Sequence, residues 1–532
     1  MKPILPVLFI LGVSLWAEDP AKPAEQPKPV QDAPKAVTPK PPPAPPVQAA
    51  QPDPKPTPKP VPALKPEVKS TPTPEAKPEV AATPSPPPPP ASPDFHKEVR
   101  EILEVSCIKC HGLEKQKGDL RLDTLAHGKK GGEEGPSIEP GNLAKSLLID
   151  RILLPEDDDD LMPPKGGPLK PEQIEILKRW VTTEAKWPQG VTLTQLTEKQ
   201  LALRKAAEQK AIVELSVYPP QVNLETEEDF HKIVVVAKYA DDVTRDVTAE
   251  SSLVLSGTKV ASIEGRDLRP LVDGNATLVV THRDKRVDTP LRVKGAKTPR
   301  PVSFKLDVMP IFLRAGCNAG SCHGSARGQD GFMLSIWGYD PDGDHYRITR
   351  ELGTRRINLA IPEESLLVEK AIEAVPHTGG KRFAKGSVNW KTLVQWLSDG
   401  VPEDVKDVAK PVGIELYPKN ALLEGEEALQ QMTVIARYSD GTDRDVTQLA
   451  LFRSNNDVSA AIDEHGLVTA GKRGEAFIAA SFNIFTMGSN FVVIPKNLKY
   501  ERPKLPENNY VDKLVHEKLH KLRITPSELC SD

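Results

Sequence analysis

Cys107-Ile108-Lys109-Cys110-His111 is the stretch whose residue types and spacing define a chemistry. Two thiols two residues apart, with an imidazole directly after the second, form the attachment signature of c-type haem. Each thiol adds to one vinyl group of a porphyrin, and the next side chain then lies under the ring. There His111 can give a nitrogen to iron as proximal ligand. The competing readings are a chance cluster, a vicinal disulfide or half of a zinc site. Structural zinc needs further ligands from a second pair at matching spacing, and the sequence places none nearby.

A related cluster follows at Cys317-Asn318-Ala319-Gly320-Ser321-Cys322-His323, with four residues between the cysteines. A loop of Asn, Ala, Gly and Ser can bulge and still present both thiols, leaving His323 as proximal ligand. The surroundings repeat as well. Phe95, Val99, Ile102 and Leu103 precede Cys107 as Phe304, Val308, Ile311 and Leu313 precede Cys317. Ser365-Leu366-Leu367 parallels Ser146-Leu147-Leu148, and Trp396 parallels Trp180. The alternative is a degenerate copy in which Cys317 and Cys322 form a disulfide. The fifth cysteine, Cys530, reads as a free thiol.

A small helical haem protein needs a sixth iron ligand from the far side of the ring. Met162, in Leu161-Met162-Pro163-Pro164, is the candidate in the first unit, with His96 and His127 as alternatives; Met plus His ligation raises the potential. In the second unit Pro376-His377 falls opposite Met162-Pro163. The separations from the proximal histidine are 51 positions (162−111) and 54 positions (377−323). His377 then makes a bis-histidine site of lower potential. Met309 and Met333 read as core residues. Asp157–Asp160 reads as a solvated, self-repelling loop rather than a calcium site.

The elements that must position these residues follow from periodicity. Ser92-Pro93-Asp94 opens a helix leading into Cys107, with Ser92 as N-cap. A short helix starts after Ser146. Another starts near Pro171 and turns Ile174, Leu177, Trp180 and Val181 inward. Residues 191–210 read as a charged helical connector. The pattern then changes to period two at Ile212–Val217 and Ile233–Tyr239, which are strand signals. Tyr218, Tyr239 and Asp246-Val247-Thr248 recur as Tyr417, Tyr438 and Asp445-Val446-Thr447, each 199 positions on (417−218, 438−239, 445−246). A gapless register of this kind marks homologous units.

The chain of 532 residues is too long for one core, and its net charge of −4 gives no footprint for nucleic acid. Met1–Ala17 has one Lys before an apolar run and reads as a secretory signal peptide. The alternative is an uncleaved anchor. From residue 18 to residue 92 the sequence is rich in Pro, of which the chain has 55. Such a segment cannot bury enough apolar surface to fold and reads as an extended spacer or a disordered leader.

Residues 94–190 and 301–402 resemble the planctomycete-type cytochrome c domain. The first carries F-x-x-x-V-x-x-I-L, S-C-x-x-C-H-G, L-R-L-D-T, G-G-x-x-G-P and M-P-P, ending in Trp180 and Trp187-Pro188. Tyr438-Ser439-Asp440-Gly441-Thr442 with Asp445-Val446-Thr447 resembles bacterial Ig-like group 2 domains; the first copy departs with Asp241-Asp242 in place of Asp-Gly. The alternation resembles multidomain surface proteins of planctomycetes and related bacteria, in which two further large domains follow. Asn509–Leu522 resembles the first helix of the next domain, as though that domain were truncated.

The expected fold class is therefore multidomain: small all-α cytochrome c-like domains at 93–190 and 297–408, alternating with all-β Ig-like sandwiches at 211–296 and 409–497. The resemblance implies an exported electron carrier of the periplasm or cell surface. It would hold one or two covalent haem c groups on Cys107, Cys110, Cys317 and Cys322, ligated by His111, Met162, His323 and His377. Its partners would be a redox protein and, through the Ig-like domains, envelope or polysaccharide. The alternatives are a haem enzyme with an open sixth position and a scaffold with vestigial haem sites.

Overall fold

The computed structural model describes residues 92–527 apart from 114, 258 and 407, all within one compact unit. The leader Met1–Ala17, the Pro-rich stretch before residue 92, and Cys530 lie outside the described residues.

The first helical segment opens with a π-helical turn, Phe95–Val99, running into helix Arg100–Ser106. Its cap is Asp94, whose carboxylate accepts from the His96 and Lys97 amides. The expected cap, Ser92, instead accepts a hydrogen bond from the Thr183 hydroxyl at 3.1 Å, because the helix begins after Asp94 and not after Ser92. Helices Leu125–Lys130, Leu147–Ile152 and Pro171–Thr182 follow. Phe95, Val99, Leu103, Leu177, Trp180 and Val181 share one core, while Ile174 is half-buried at its edge. In the connector the helix covers only Glu198–Glu208, opened by a reciprocal cap between Thr197 and Gln200.

The second helical segment repeats several contacts of the first. It has a π-helical turn at Phe304–Val308, helices Met309–Arg314, Pro341–Thr349, Gly353–Arg356, Leu366–Ala371 and Val388–Ser398, and its own core around Phe304, Leu393 and Trp396. Trp180 donates its indole N–H to the Lys186 carbonyl at 3.0 Å, and Trp396 donates to that of Pro402 at 3.1 Å. The Ser146 hydroxyl accepts from the Glu139 amide at 2.9 Å; the Ser365 hydroxyl accepts from Asn358, also at 2.9 Å. Met309 is buried, and Met333 is half-buried.

Each strand segment folds into two facing sheets and a short ribbon. In the first, Ile212–Tyr218, Val234–Tyr239 and Thr244–Asp246 face Val222–Leu224, Lys285–Val293, Gly274–His282 and Ser252–Gly257 across one apolar core. In the second, Pro411–Tyr417, Thr433–Tyr438 and Asp443–Asp445 face Asn420–Glu424, Phe485–Ile494, Gly474–Phe482 and Leu451–Ser454 in the same order. At the hairpin turn Gly441 has φ +83°, a left-handed conformation that glycine takes freely. Its counterpart Asp242 has φ +64°, so aspartate, which tolerates this region, does the same work there.

The two strand segments are paired around an approximate two-fold axis. Asp246 Oδ2 accepts from the Gln431 amide at 3.1 Å, and Asp445 Oδ2 accepts from the Lys232 amide at 2.7 Å. These are the same contact made twice, since 445−246 and 431−232 both equal 199. Thr244 Oγ1 accepts from the Leu422 amide at 2.9 Å, and the equivalent Asp443 Oδ2 accepts from Asn223 Nδ2 at 2.8 Å. The equivalent Tyr218 and Tyr417 stack with ring centres 5.0 Å apart. Reciprocal contacts of this kind define an isologous interface, here within one chain. Asp445→Ala removes the acceptor of the Lys232, Thr433 and Thr447 contacts in a buried site. We expect a loss of about 1–3 kcal/mol in equilibrium denaturation; a change under a few tenths would contradict the buried role.

Each helical segment docks on its own strands at matching places. Arg100 donates to the Ala249 carbonyl at 3.0 Å, and Arg314 donates to that of Gln448, 199 positions on (448−249). The helix Tyr510–Lys521 leaves Tyr510, Val511, Leu514 and Val515 exposed. Among the described residues no helix is long and apolar enough to cross a membrane.

Candidate functional site

The first cysteine loop follows helix Arg100–Ser106 and closes on itself. The amides of Cys110 and His111 both donate to the Cys107 carbonyl at 3.1 Å. In the second loop the His323 amide donates to the Cys317 carbonyl at 3.0 Å, so the two extra residues bulge outward while the ends meet in the same way. The next residue is glycine in both. A Cβ on Gly112 would stand 2.7 Å from the Ile108 carbonyl oxygen, and one on Gly324 would stand 2.1 Å from that of Asn318. No larger residue fits either place. His111 and His323 are then pinned by the same backbone bond, their carbonyls accepting from Leu122 at 2.7 Å and Leu334 at 2.8 Å.

The two imidazoles differ in what Nδ1 meets. His323 Nδ1 lies 2.9 Å from the Phe332 carbonyl. A carbonyl only accepts, so Nδ1 carries the proton and Nε2 keeps the lone pair in the neutral ring. His111 Nδ1 is buried and lacks a hydrogen-bond partner. Leu120 follows His111 by nine residues, as Phe332 follows His323 (120−111, 332−323). Burial pushes the pKa of both rings below the usual histidine value, outweighing the nearby carbonyls.

His377 is brought to His323. Their ring centres are 6.4 Å apart and their planes differ by 9°. His377 Nδ1 lies 2.9 Å from the Gly380 carbonyl, so it too carries its proton on Nδ1 and keeps the lone pair on Nε2. Room for this ring depends on Gly379, where a Cβ would stand 2.8 Å from His377 Cε1 and 3.1 Å from Nε2.

Met162 is half-buried and packs on the same core as Cys107. Its amide donates to the Arg151 carbonyl at 3.0 Å, near the end of helix Leu147–Ile152. In the second segment the Arg382 amide donates to the Ala371 carbonyl, at the last residue of helix Leu366–Ala371, at 2.7 Å. The sequence register set Met162-Pro163 opposite Pro376-His377. His96 is exposed, and His127 is held by Thr124 at 2.8 Å and Asp123 at 3.1 Å. Asp157–Asp160 is exposed, with Arg151 on Asp160 at 2.6 Å.

All four thiols are unpaired, Cys317 and Cys322 included. Burial pushes the Cys107 thiol up to about 12, with Cys110 adding to the effect. Burial likewise takes Cys317 to about 11 against the pull of Arg382. Thiols held protonated in this way are poor thiolate nucleophiles and poor partners for disulfide exchange. Sequence reasoning missed two residues of the second site. Asn318 is fully buried with neither amide atom hydrogen-bonded. Arg382 lies with Nη2 3.6 Å from Cys322 Sγ and Nη1 3.4 Å from the Ala315 carbonyl. The pair Lys381-Arg382 after two glycines was the only signal for it.

No curated protein matches the chain. Among solved structures, domains 5–6 of the S-layer protein SbsC overlap 54% of this chain and 99% of their own, at 9% identity and a TM-score of 0.22. Domains 4–9 of the same surface layer protein overlap 58% of this chain and 33% of theirs, at 10% identity and the same TM-score of 0.22. Extracellular domains 3–5 of Drosophila OTK overlap 54% and 63%, at 7% identity and a TM-score of 0.11. None of these overlaps assigns a function. The sequence from residue 107 to residue 166, which holds the first cysteine loop and Met162, matches the family described as planctomycete cytochrome C.

Proposed function

We propose that this chain is an exported c-type cytochrome that carries two covalent haems and transfers electrons in the periplasm or at the cell surface. When bound, each haem supplies a one-electron iron couple. The protein's part is to bind, orient and bury it. Cys107 and Cys110 would anchor the first, and His111 and Met162 would hold its iron. Cys317 and Cys322 would anchor the second, and His323 and His377 would hold its iron.

The observation that carries this reading is the His323–His377 pair. With metal–imidazole bonds of about 2 Å on each side, two rings across one metal have centres about 6 Å apart. The observed separation is 6.4 Å, and both rings keep their lone pair on Nε2. The donor set of two imidazoles and two thiols fits haem c, and the match over residues 107–166 supports the same chemistry at the first loop.

The test is intact mass of the full chain after expression with a haem-maturation system. Two haem increments are expected, and Cys317→Ala with Cys322→Ala removes one. A matured chain with no increment overturns the reading and leaves a scaffold.

A further inference from the structure

Arg382 lies beside the second cysteine loop and cannot ligate a metal, because guanidinium has no acceptor. Its side chain is aimed into the second site. Nη2 lies 3.6 Å from Cys322 Sγ, and the absent Cβ of Gly379 would meet this same nitrogen at 2.9 Å and His377 Nε2 at 3.1 Å. Arg382 and the His377 ring thus share one small space beside the cysteine pair. The residue is held there by its amide on Ala371 and by Nη1 on Ala315. Arg245 and Arg444 each face a carboxylate, of Glu250 and Asp307, which neutralises them. The partners of Arg382 are a carbonyl and a sulfur, so its charge stays unbalanced at the site.

We propose that Arg382 sets the reduction potential of the second site, raising what two histidine ligands alone would give. This rests on the haem reading above. A fixed positive charge disfavours the oxidised, more positive iron over the reduced one. Half-buried, it is screened less than a surface charge. In a medium of effective dielectric constant about 20, a unit charge within roughly 10 Å shifts the ratio of reduced to oxidised site by about tenfold or more. That corresponds to about 59 mV for a one-electron couple. The chain would thereby bring a bis-histidine site closer in potential to a His/Met site, so that electrons could pass either way between them.

The test is spectroelectrochemical titration of the full, matured chain carrying Arg382→Gln or Arg382→Lys, with intact mass on each. R382Q should lower one of the two midpoint potentials by about 59 mV or more and leave the other in place. Its low-spin spectrum should be retained, which a loss of His377 ligation would not allow. R382K, which keeps the charge, should stay near the unmodified value. Two haems with both potentials unmoved in R382Q overturn the role of Arg382 and leave the haem reading standing. No haem on Cys317 and Cys322 in the unmodified chain overturns both. If R382Q does not attach the second haem, Arg382→Leu decides. A lowered potential supports the proposal, and failure of both neutral variants to mature makes the residue structural and overturns it.

Discussion

His377→Ala should turn the second site from one closed to small ligands into one that takes up about one equivalent of carbon monoxide per chain. His323 and His377 face each other at 6.4 Å with nearly parallel rings, and each is fixed by its Nδ1 on a backbone carbonyl. Removing His377 leaves Phe332 still orienting His323, so the proximal side should survive. Arg382, beside Cys322, donates only and cannot substitute as a ligand. The absorption spectrum should change from low spin to high spin for half of the bound haem, and added imidazole should restore it. Uptake of carbon monoxide by the unmodified chain at that site would show that His377 is not bound, and the haem-enzyme alternative would then lead.

The second large effect is expected at Glu104. This carboxylate is fully buried at the junction of the first helical segment, the connector and the first strand segment. Arg100 donates to it twice at 3.0 Å, and Arg204 donates to its other oxygen. Arg100 and Arg204 are each 3% exposed. Glu104→Gln leaves two buried guanidinium groups without their counter-charge. The expected loss is about 3–5 kcal/mol, read as a lower midpoint in denaturant. Replacing all three by apolar residues of similar volume should cost far less, because no uncompensated charge remains. A midpoint for E104Q equal to that of the unmodified chain would show that the triad is not buried as described.

The same junction sets the acid limb of stability. Burial works to raise the Glu250 pKa, but Arg245, with help from Arg100 and Arg204, holds it down to about 2. A carboxyl depressed from an ordinary value of 4.5 stabilises the fold fully above that pH. The contribution falls away as pH drops towards 2. Glu250→Gln should therefore flatten the loss of stability between about pH 4.5 and 2 as well as lower stability at neutral pH.

The sequence by itself determined the two cysteine loops, the histidines that follow them and the strand duplication. Those features are local. A thiol spacing is a chemical motif, and the 199-position register survives because no insertion falls between Tyr218 and Thr248 or their counterparts. It also placed Phe95, Trp180, Phe304 and Trp396 in cores, because apolar periodicity reports burial directly. Tertiary structure alone decided three things. It paired the strand segments about a two-fold axis through contacts such as Asp246–Gln431 and Asp445–Lys232, which join residues more than 180 positions apart. It buried Glu104 between two arginines that sequence reads as ordinary helix-surface charge. It set Arg382 beside Cys322, because loops without periodicity are placed by the carbonyls they can reach and not by their own residue pattern.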